Sequence, residues 1–176
     1  EDQDFPKRCG HFAGKGVIPL PEMLPKIKAA ADARTRDTLI VARTDALAVD
    51  GLDAALERAE AFADAGADLT FVEAPRDAAQ MRRIAALPVP QVVNIVHGGK
   101  TPPLAQAELA QMGFGVVLYA NAALQAAVRA SVEVLRSLKA GGSLDAVSDR
   151  LASFEERQAT VAKDKWDALE QRFRAE

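Results

Sequence analysis

Gly66-Ala67-Asp68-Leu69-Thr70-Phe71-Val72-Glu73-Ala74 is the stretch from which the fold can be read. Gly66 follows a run of helix-favouring residues from Asp53 to Ala65, and glycine there is a C-terminal helix stop. Leu69 to Val72 is short and apolar, without the alternation of a strand that has one face in water. It suits a strand buried on both faces. Glu73 then sets a charge where the apolar run ends.

Outward from this stretch the same unit recurs. Leu39-Ile40-Val41-Ala42, Val92-Val93-Asn94-Ile95-Val96 and Val116-Val117-Leu118-Tyr119 are the other expected strands. Helices are expected at Glu22 to Arg34, with Pro25 in a tolerant first turn, and at Asp77 to Leu87, closed by Pro88. Leu104 to Met112 is another, closed by Gly113. A long helix from Ala122 to Ala140 stops at Gly141-Gly142, and Asp145 to Phe173 reads as two or three more. Strand starts recur roughly every 22 to 30 residues, the spacing of parallel strands joined by crossover helices. The fold class is therefore α/β, either a doubly wound open sheet or part of a (β/α)8 TIM-like barrel. No glycine-rich phosphate fingerprint follows a strand, which weakens a dinucleotide reading.

The chain has 176 residues, enough for one sizeable core. Its 49% hydrophobic and 27% charged residues exclude a disordered chain. A net charge of −3, with basic residues scattered, leaves no footprint for nucleic acid. No apolar run approaches the roughly 18 residues of a membrane span. One cysteine excludes an intrachain disulfide and favours the cytoplasm. The chain begins Glu1-Asp2-Gln3, without methionine or signal segment, and reads as the remainder of a longer polypeptide.

Polar groups gather where the apolar runs end: Arg43-Thr44-Asp45, Glu73, Asn94 and Tyr119-Ala120-Asn121. In parallel α/β folds that edge is where sites are built. Asp45 and Asn121 fit an ordinary strand end. Arg43 has apolar neighbours and needs a partner if buried. Glu73 suits either a site or a buried ion pair, and Asn94 could simply satisfy backbone groups. In Lys7-Arg8-Cys9-Gly10-His11 the cations and histidine around Cys9 favour a reactive thiol over a buried filler. Gly98-Gly99-Lys100-Thr101-Pro102 offers backbone N–H groups that could cradle a carboxylate or phosphate. No His/Cys cluster has zinc spacing, whereas Glu1 and Asp2 could serve a hard cation.

Glu1-Asp2-Gln3 with Pro6-Lys7-Arg8-Cys9-Gly10-His11 resembles the signature loop of the isocitrate lyase and phosphoenolpyruvate mutase superfamily. Ala42-Arg43-Thr44-Asp45-Ala46, Gly66-Ala67-Asp68, Phe71-Val72-Glu73-Ala74, Asn94 and Gly98-Gly99-Lys100-Thr101-Pro102 continue the match in order. The resemblance implies a (β/α)8 barrel. Residues 1–140 would be its C-terminal half, and 141–176 a helical segment exchanged between subunits of a homotetramer. The preceding half would carry the early strands and an aspartate-rich Mg2+ motif.

By position, Glu1 would hold the Mg2+ shell, with Mn2+ as the alternative ion. Cys9 would be the acid that protonates the enolate product. Arg43 would bind a substrate carboxylate, and Glu73 would position the substrate or the mobile loop. Asn94 with Gly98 and Gly99 would hold a second carboxylate. Lys7, Arg8, Gly10 and His11 would contact substrate from a gating loop that excludes water on closing. The implied reaction is retro-aldol cleavage of a 2-alkylmalate or 2-methylisocitrate-like acid, a small di- or tricarboxylic acid, to a 2-oxo acid and a second carboxylic acid. One mutase branch, acting on carboxyphosphonoenolpyruvate, has a similar loop. A non-catalytic half-barrel is the third reading.

Overall fold

Four short strands form one sheet: β1 (Val41–Thr44), β2 (Leu69–Val72), β3 (Gln91–Asn94) and β4 (Phe114–Leu118). All neighbouring pairs are parallel, and their spatial order is their chain order. Right-handed crossovers that advance one strand at a time put every connecting helix on the same face. That is the singly wound order of a (β/α)8 barrel, not the reversing order of a doubly wound sheet. The computed structural model describes residues 1–174. It divides into two compact units, Glu1–Ala122 and Ala123–Glu176. Ala175 and Glu176, the end of the expected 141–176 segment, lie outside the described residues.

In the first unit the helices are α1 (Leu20–Ala33), α2 (Ala46–Val49), α3 (Leu52–Asp64), α4 (Ala78–Ala85) and α5 (Gln106–Met112). The terminators read from the sequence act as expected. Gly66 and Gly113 both adopt φ +107, open to glycine but costly for other residues. Asp77 caps α4 by accepting a bond from the Gln80 backbone N–H at 2.8 Å. Pro25 differs from expectation: α1 begins at Leu20, so Pro25 lies inside the helix and Pro21 occupies the tolerant first turn. The short α2, directly after Asp45, has too few residues to show a helical period.

Strand alternation sorts the side chains onto two faces. Ala42 packs with Met23, Ile27 and Phe62, while Val72 and Val93 pack with Ala55, Ala59, Met81, Ile84 and Leu109. These face the helices. A buried polar pair shares that face: Thr70 donates to Gln91 Oε1 at 2.8 Å, and Gln91 Nε2 donates to the Val89 carbonyl at 2.6 Å. On the opposite face Leu69, Phe71 and Val92 form a smaller apolar cluster.

β2 lies where expected, but the other strands shift by about one to two residues, a usual error in reading strand ends. Ile40 lies just before β1, where Asp68 holds it. The Asp68 carboxylate accepts the Ile40 N–H at 2.8 Å and Arg34 at 2.5 Å. β3 begins at the buried polar Gln91, which hydropathy passes over. Only β2 and β3 are buried along their whole length. The edge strands expose Val41, Val116 and Leu118, because each has one neighbour instead of two.

The second unit carries most of α6 (Ala122–Gly141), then a 3-10 turn Asp145–Arg150, α7 (Phe154–Thr160) and α8 (Lys163–Phe173). Ser153 and Glu156 cap α7 reciprocally at 3.1 and 2.7 Å. Leu124, Val128, Val132 and Leu135 make an exposed apolar stripe at helical spacing along α6. Among the described residues no helix is long and apolar enough to cross a membrane.

Phe62 is fully buried between α1, α3 and β1. Phe62→Ala should cost about 3–5 kcal/mol. Urea denaturation should show this as a lower midpoint with an unchanged slope.

Candidate functional site

The face of the sheet turned away from the helices becomes polar at its C-terminal end. Arg43 is paired in register with Phe71, and Asp45 and Glu73 follow each of them by two residues. Two-residue spacing keeps them on the same face. Arg43 stacks over the Phe71 ring, its guanidinium carbon 5.2 Å from the centroid.

Arg43 binds three carboxylates. Its Nε and NH2 donate to Asp45 at 2.9 and 3.1 Å. NH1 lies 3.0 Å from Glu73 Oε2, and Nε lies 3.5 Å from Glu1 Oε2. Asp45 and Glu73 are essentially inaccessible to solvent. Burial works against the Asp45 charge, but the bonds and charge of Arg43, with Gln3 and Lys15, outweigh it. They hold that carboxyl below the usual range. Burial also opposes the Arg43 charge. The bond to Asp45 and the fields of Glu73, Asp45 and Glu1 overcome it and raise the Arg43 pKa. Lys7 lies 3.3 Å from Glu1 and Lys15 lies 3.2 Å from Asp45. Arg43, Lys7 and Lys15 thus balance Glu1, Asp45 and Glu73, which the buried members Asp45, Glu73 and Lys15 require.

The N-terminal segment runs beside β1 and delivers Glu1. The Asp2 N–H donates to the Arg43 carbonyl at 3.2 Å, and the Asp2 carbonyl accepts the Ile18 N–H at 2.8 Å. Buried Asp2 accepts the Asp45 N–H at 3.0 Å and Arg58 Nε at 2.8 Å. Arg58 also donates to the Ile18 carbonyl at 2.7 Å, which ties α3 to the chain on both sides of the Asp4–Gly16 loop.

Between Asp4 and Gly16 the chain makes a loop with a pinned neck. Gln3 bridges Val17, and the Asp4 N–H donates to the Gly16 carbonyl at 3.1 Å. Gln3 also exchanges bonds with the Arg8 backbone at 2.8 and 2.9 Å. Such closed ends define an Ω-type loop. At its tip, Gly10 presses against the cluster: a Cβ there would stand 2.3 Å from Glu73 Cγ and 2.6 Å from Arg43 NH2. His11 Nδ1 accepts the Lys100 N–H at 3.1 Å, so its ring proton sits on Nε2, 3.5 Å from Glu73 Oε1. Asn94 Nδ2 reaches the same oxygen at 3.5 Å.

Glu1, Lys7, Gly10, His11, Arg43, Glu73 and Asn94 therefore come together, with Gly99 packed against His11. Cys9 is at the loop tip with an exposed free thiol. Arg8 points back along the loop, near Gly14. Gly98 has φ +75 and open space beside it, whereas the Gly99 and Lys100 N–H groups are already bonded to Val96 and His11. His11 Nε2, Asn94 Oδ1 and Thr101 Oγ1 are buried without a hydrogen-bond partner within the described protein, leaving polar capacity that water or a ligand would meet.

Sequence reading missed Lys15 and Arg58, took Asp45 for an ordinary strand end, and offered Asp2 only as a ligand for a hard cation, whereas the structure pairs it with Arg58. Two signals were available. Asp45 shares the parity of Arg43, and Arg58 lies on the Ala55, Ala59 and Phe62 face of α3. Among the described residues no group of three or more His, Cys, Asp or Glu side chains could hold a metal ion. Each cluster carboxylate faces a cation instead, so these residues alone do not fit a self-contained Mg2+ or Mn2+ cage.

The sequence pattern of the phosphoenolpyruvate phosphomutase family matches residues 1–139. A 2,3-dimethylmalate lyase of Eubacterium barkeri is 38% identical over 175 residues, covering 98% of this chain and 61% of its own length. A chloroplastic carboxyvinyl-carboxyphosphonate phosphorylmutase of Arabidopsis thaliana is 42% identical over 178 residues, covering 98% of this chain and 52% of its own. A crystal structure of 2,3-dimethylmalate lyase superposes with a TM-score of 0.89 at 31% identity, over 97% of this chain and 58% of that one. The chain thus spans a little over half the length of the relatives it matches. The solved neighbours are (β/α)8 barrels, the architecture to which the singly wound sheet belongs.

Because the folded Asp45 pKa is lowered, its stabilising contribution is full above the ordinary value of about 3.9 and fades as pH falls through the folded value. Asp45→Asn should therefore be less stable than wild type at pH 7. Its urea midpoint should also fall less steeply as pH drops below about 4.

Proposed function

The chain belongs to the phosphoenolpyruvate phosphomutase family of the isocitrate lyase/phosphoenolpyruvate mutase superfamily, and on that footing we propose that it serves a carbon–carbon lyase. The substrate is a 2-alkylmalate or 2-methylisocitrate-like acid, and the products are a 2-oxo acid and a second carboxylic acid. One observation carries this reading: the tip of the Cys9 loop is pressed through Gly10 and His11 onto the Arg43–Glu73–Asn94 cluster. In this reading Cys9, next to Gly10 on that tip, is the proton donor, and the cluster is where carboxylates are held.

Chemically, the tertiary hydroxyl of the substrate passes its proton to a general base and becomes the carbonyl of the 2-oxo acid, and that proton later restores the Cys9 thiol. The neighbouring carbon–carbon bond breaks, and its electron pair passes to the departing acid as an enolate. Cys9 protonates that carbon. Arg43 and Asn94, with the Gly98-Gly99 turn, hold substrate carboxylates, and Glu73 orients Arg43, His11 and Asn94 around them. Lys7 and Arg8 add positive charge at the entrance. Loop closure excludes water while the enolate exists. The resemblance also implies Mg2+, or Mn2+ in its place, with Glu1 as this chain's contribution to its shell. A cytoplasmic homotetramer completes the proposal; the exposed α6 stripe, Leu124 to Leu135, supports exchange of C-terminal helices.

The second reading is a phosphonomutase acting on carboxyphosphonoenolpyruvate, favoured by the 42% identity to the plant phosphorylmutase. A panel of 2-alkylmalates and 2-methylisocitrate, assayed for 2-oxo acid release, separates the two readings. Release is expected, and Cys9→Ser should lower turnover by about 100-fold or more while substrate affinity stays close to wild type. A new carbon–phosphorus bond in the phosphorus NMR spectrum, with no 2-oxo acid from the panel, would establish the mutase instead.

A further inference from the structure

Lys15 is the best-buried cation of the loop, with a side chain only 2% exposed. Its backbone is fixed on both sides. Gly14 turns the chain at φ +77. Gly16 packs so closely on Asp4 that a Cβ would stand 2.3 Å from its carboxylate. Between them Lys15 points inward, where its Nζ donates to the Gly10 carbonyl and lies 3.2 Å from Asp45 Oδ1. Gly10 is the loop residue in closest approach to Glu73 and Arg43. One ammonium group therefore joins the tip of the Cys9 loop to the end of β1.

We propose that Lys15 is a positioning residue that clamps the Cys9 loop shut over the Arg43 cluster and sets where Cys9 is presented. The inference rests on residues 9–16 acting as the closing loop. Lys15 has two effects. Its bond to Gly10 fixes the tip against the cluster. Its charge offsets part of the Asp45 charge that Arg43 would otherwise balance alone, so that Arg43 keeps attraction for an anionic substrate. Without Lys15 the cluster carries one more negative charge than positive, which disfavours a di- or tricarboxylate.

Hydrogen exchange of the native protein, read by mass spectrometry, tests the clamp whether or not the lyase reading holds. Lys15→Met keeps the aliphatic stem and removes the charge. Amides of residues 9–14 should then exchange about tenfold faster or more, with the strand and helix amides unchanged. Lys15→Arg should restore slow exchange. In the lyase assay, Lys15→Met should raise KM as well as lower kcat, and Lys15→Arg should recover both. Unchanged exchange at residues 9–14, or a uniform rise through the whole fold, would overturn the proposal. A further arm needs no variant: amine acetylation of wild type should modify Lys15 about tenfold more slowly than Lys7, whose side chain is 42% exposed. Equal rates would also overturn it.

Discussion

The Arg43 guanidinium, shared among Asp45, Glu73 and Glu1, is the interaction on which the rest of the first unit is arranged. Removing such charges from water costs several kcal/mol per ion unless each meets a partner in good geometry. The fold meets that condition with rigid parts. β1 supplies Arg43 and, through its continuation, Asp45. β2 runs on into Glu73. The N-terminal segment brings Glu1 alongside by bonding its neighbour Asp2 to the β1 backbone. Parallel strands in sequential order put these groups at one edge, so the pairing needs no long loop to assemble it.

Two supports hold the cluster from outside. On the helix side, Arg58 of α3 fixes Asp2, and Asp2 fixes the backbone at Asp45. On the solvent side, the Cys9 loop is tied at its neck by Gln3, Asp4, Gly16 and Val17, and at its tip by Gly10, His11 and Lys15. The charges balance within the protein, yet His11, Asn94 and Thr101 keep unmet hydrogen-bonding capacity beneath the surface.

Much of this was legible in the residues. Leu69 to Val72 announced a buried parallel strand because it has no alternation, and Gly66 and Gly113 marked helix ends because their conformations suit glycine. Arg43 and Glu73 stood out as charges in apolar surroundings. Strand ends were less legible, since Leu39 and Ile40 look like strand but precede it, while polar Gln91 belongs to one. Lys15 and Arg58 were missed, and Asp2 was read as a cation ligand and not as the partner of Arg58, for a different reason. Each acts through a partner distant in sequence, as with Asp2 and Arg58, and only the folded chain shows which partner that is. Pro25 looked like the first turn because the helix start at Leu20 carries no side-chain cap to mark it.

A double-mutant cycle between Arg43 and Asp45, read by urea denaturation, tests most directly whether this bridge organises the strand ends. Arg43→Met, Asp45→Asn and the double variant should show a coupling of about 1.5 kcal/mol or more, as close buried charge pairs do. Losses that add to within about 0.5 kcal/mol would mean that the two side chains stabilise the protein independently, and would contradict the account.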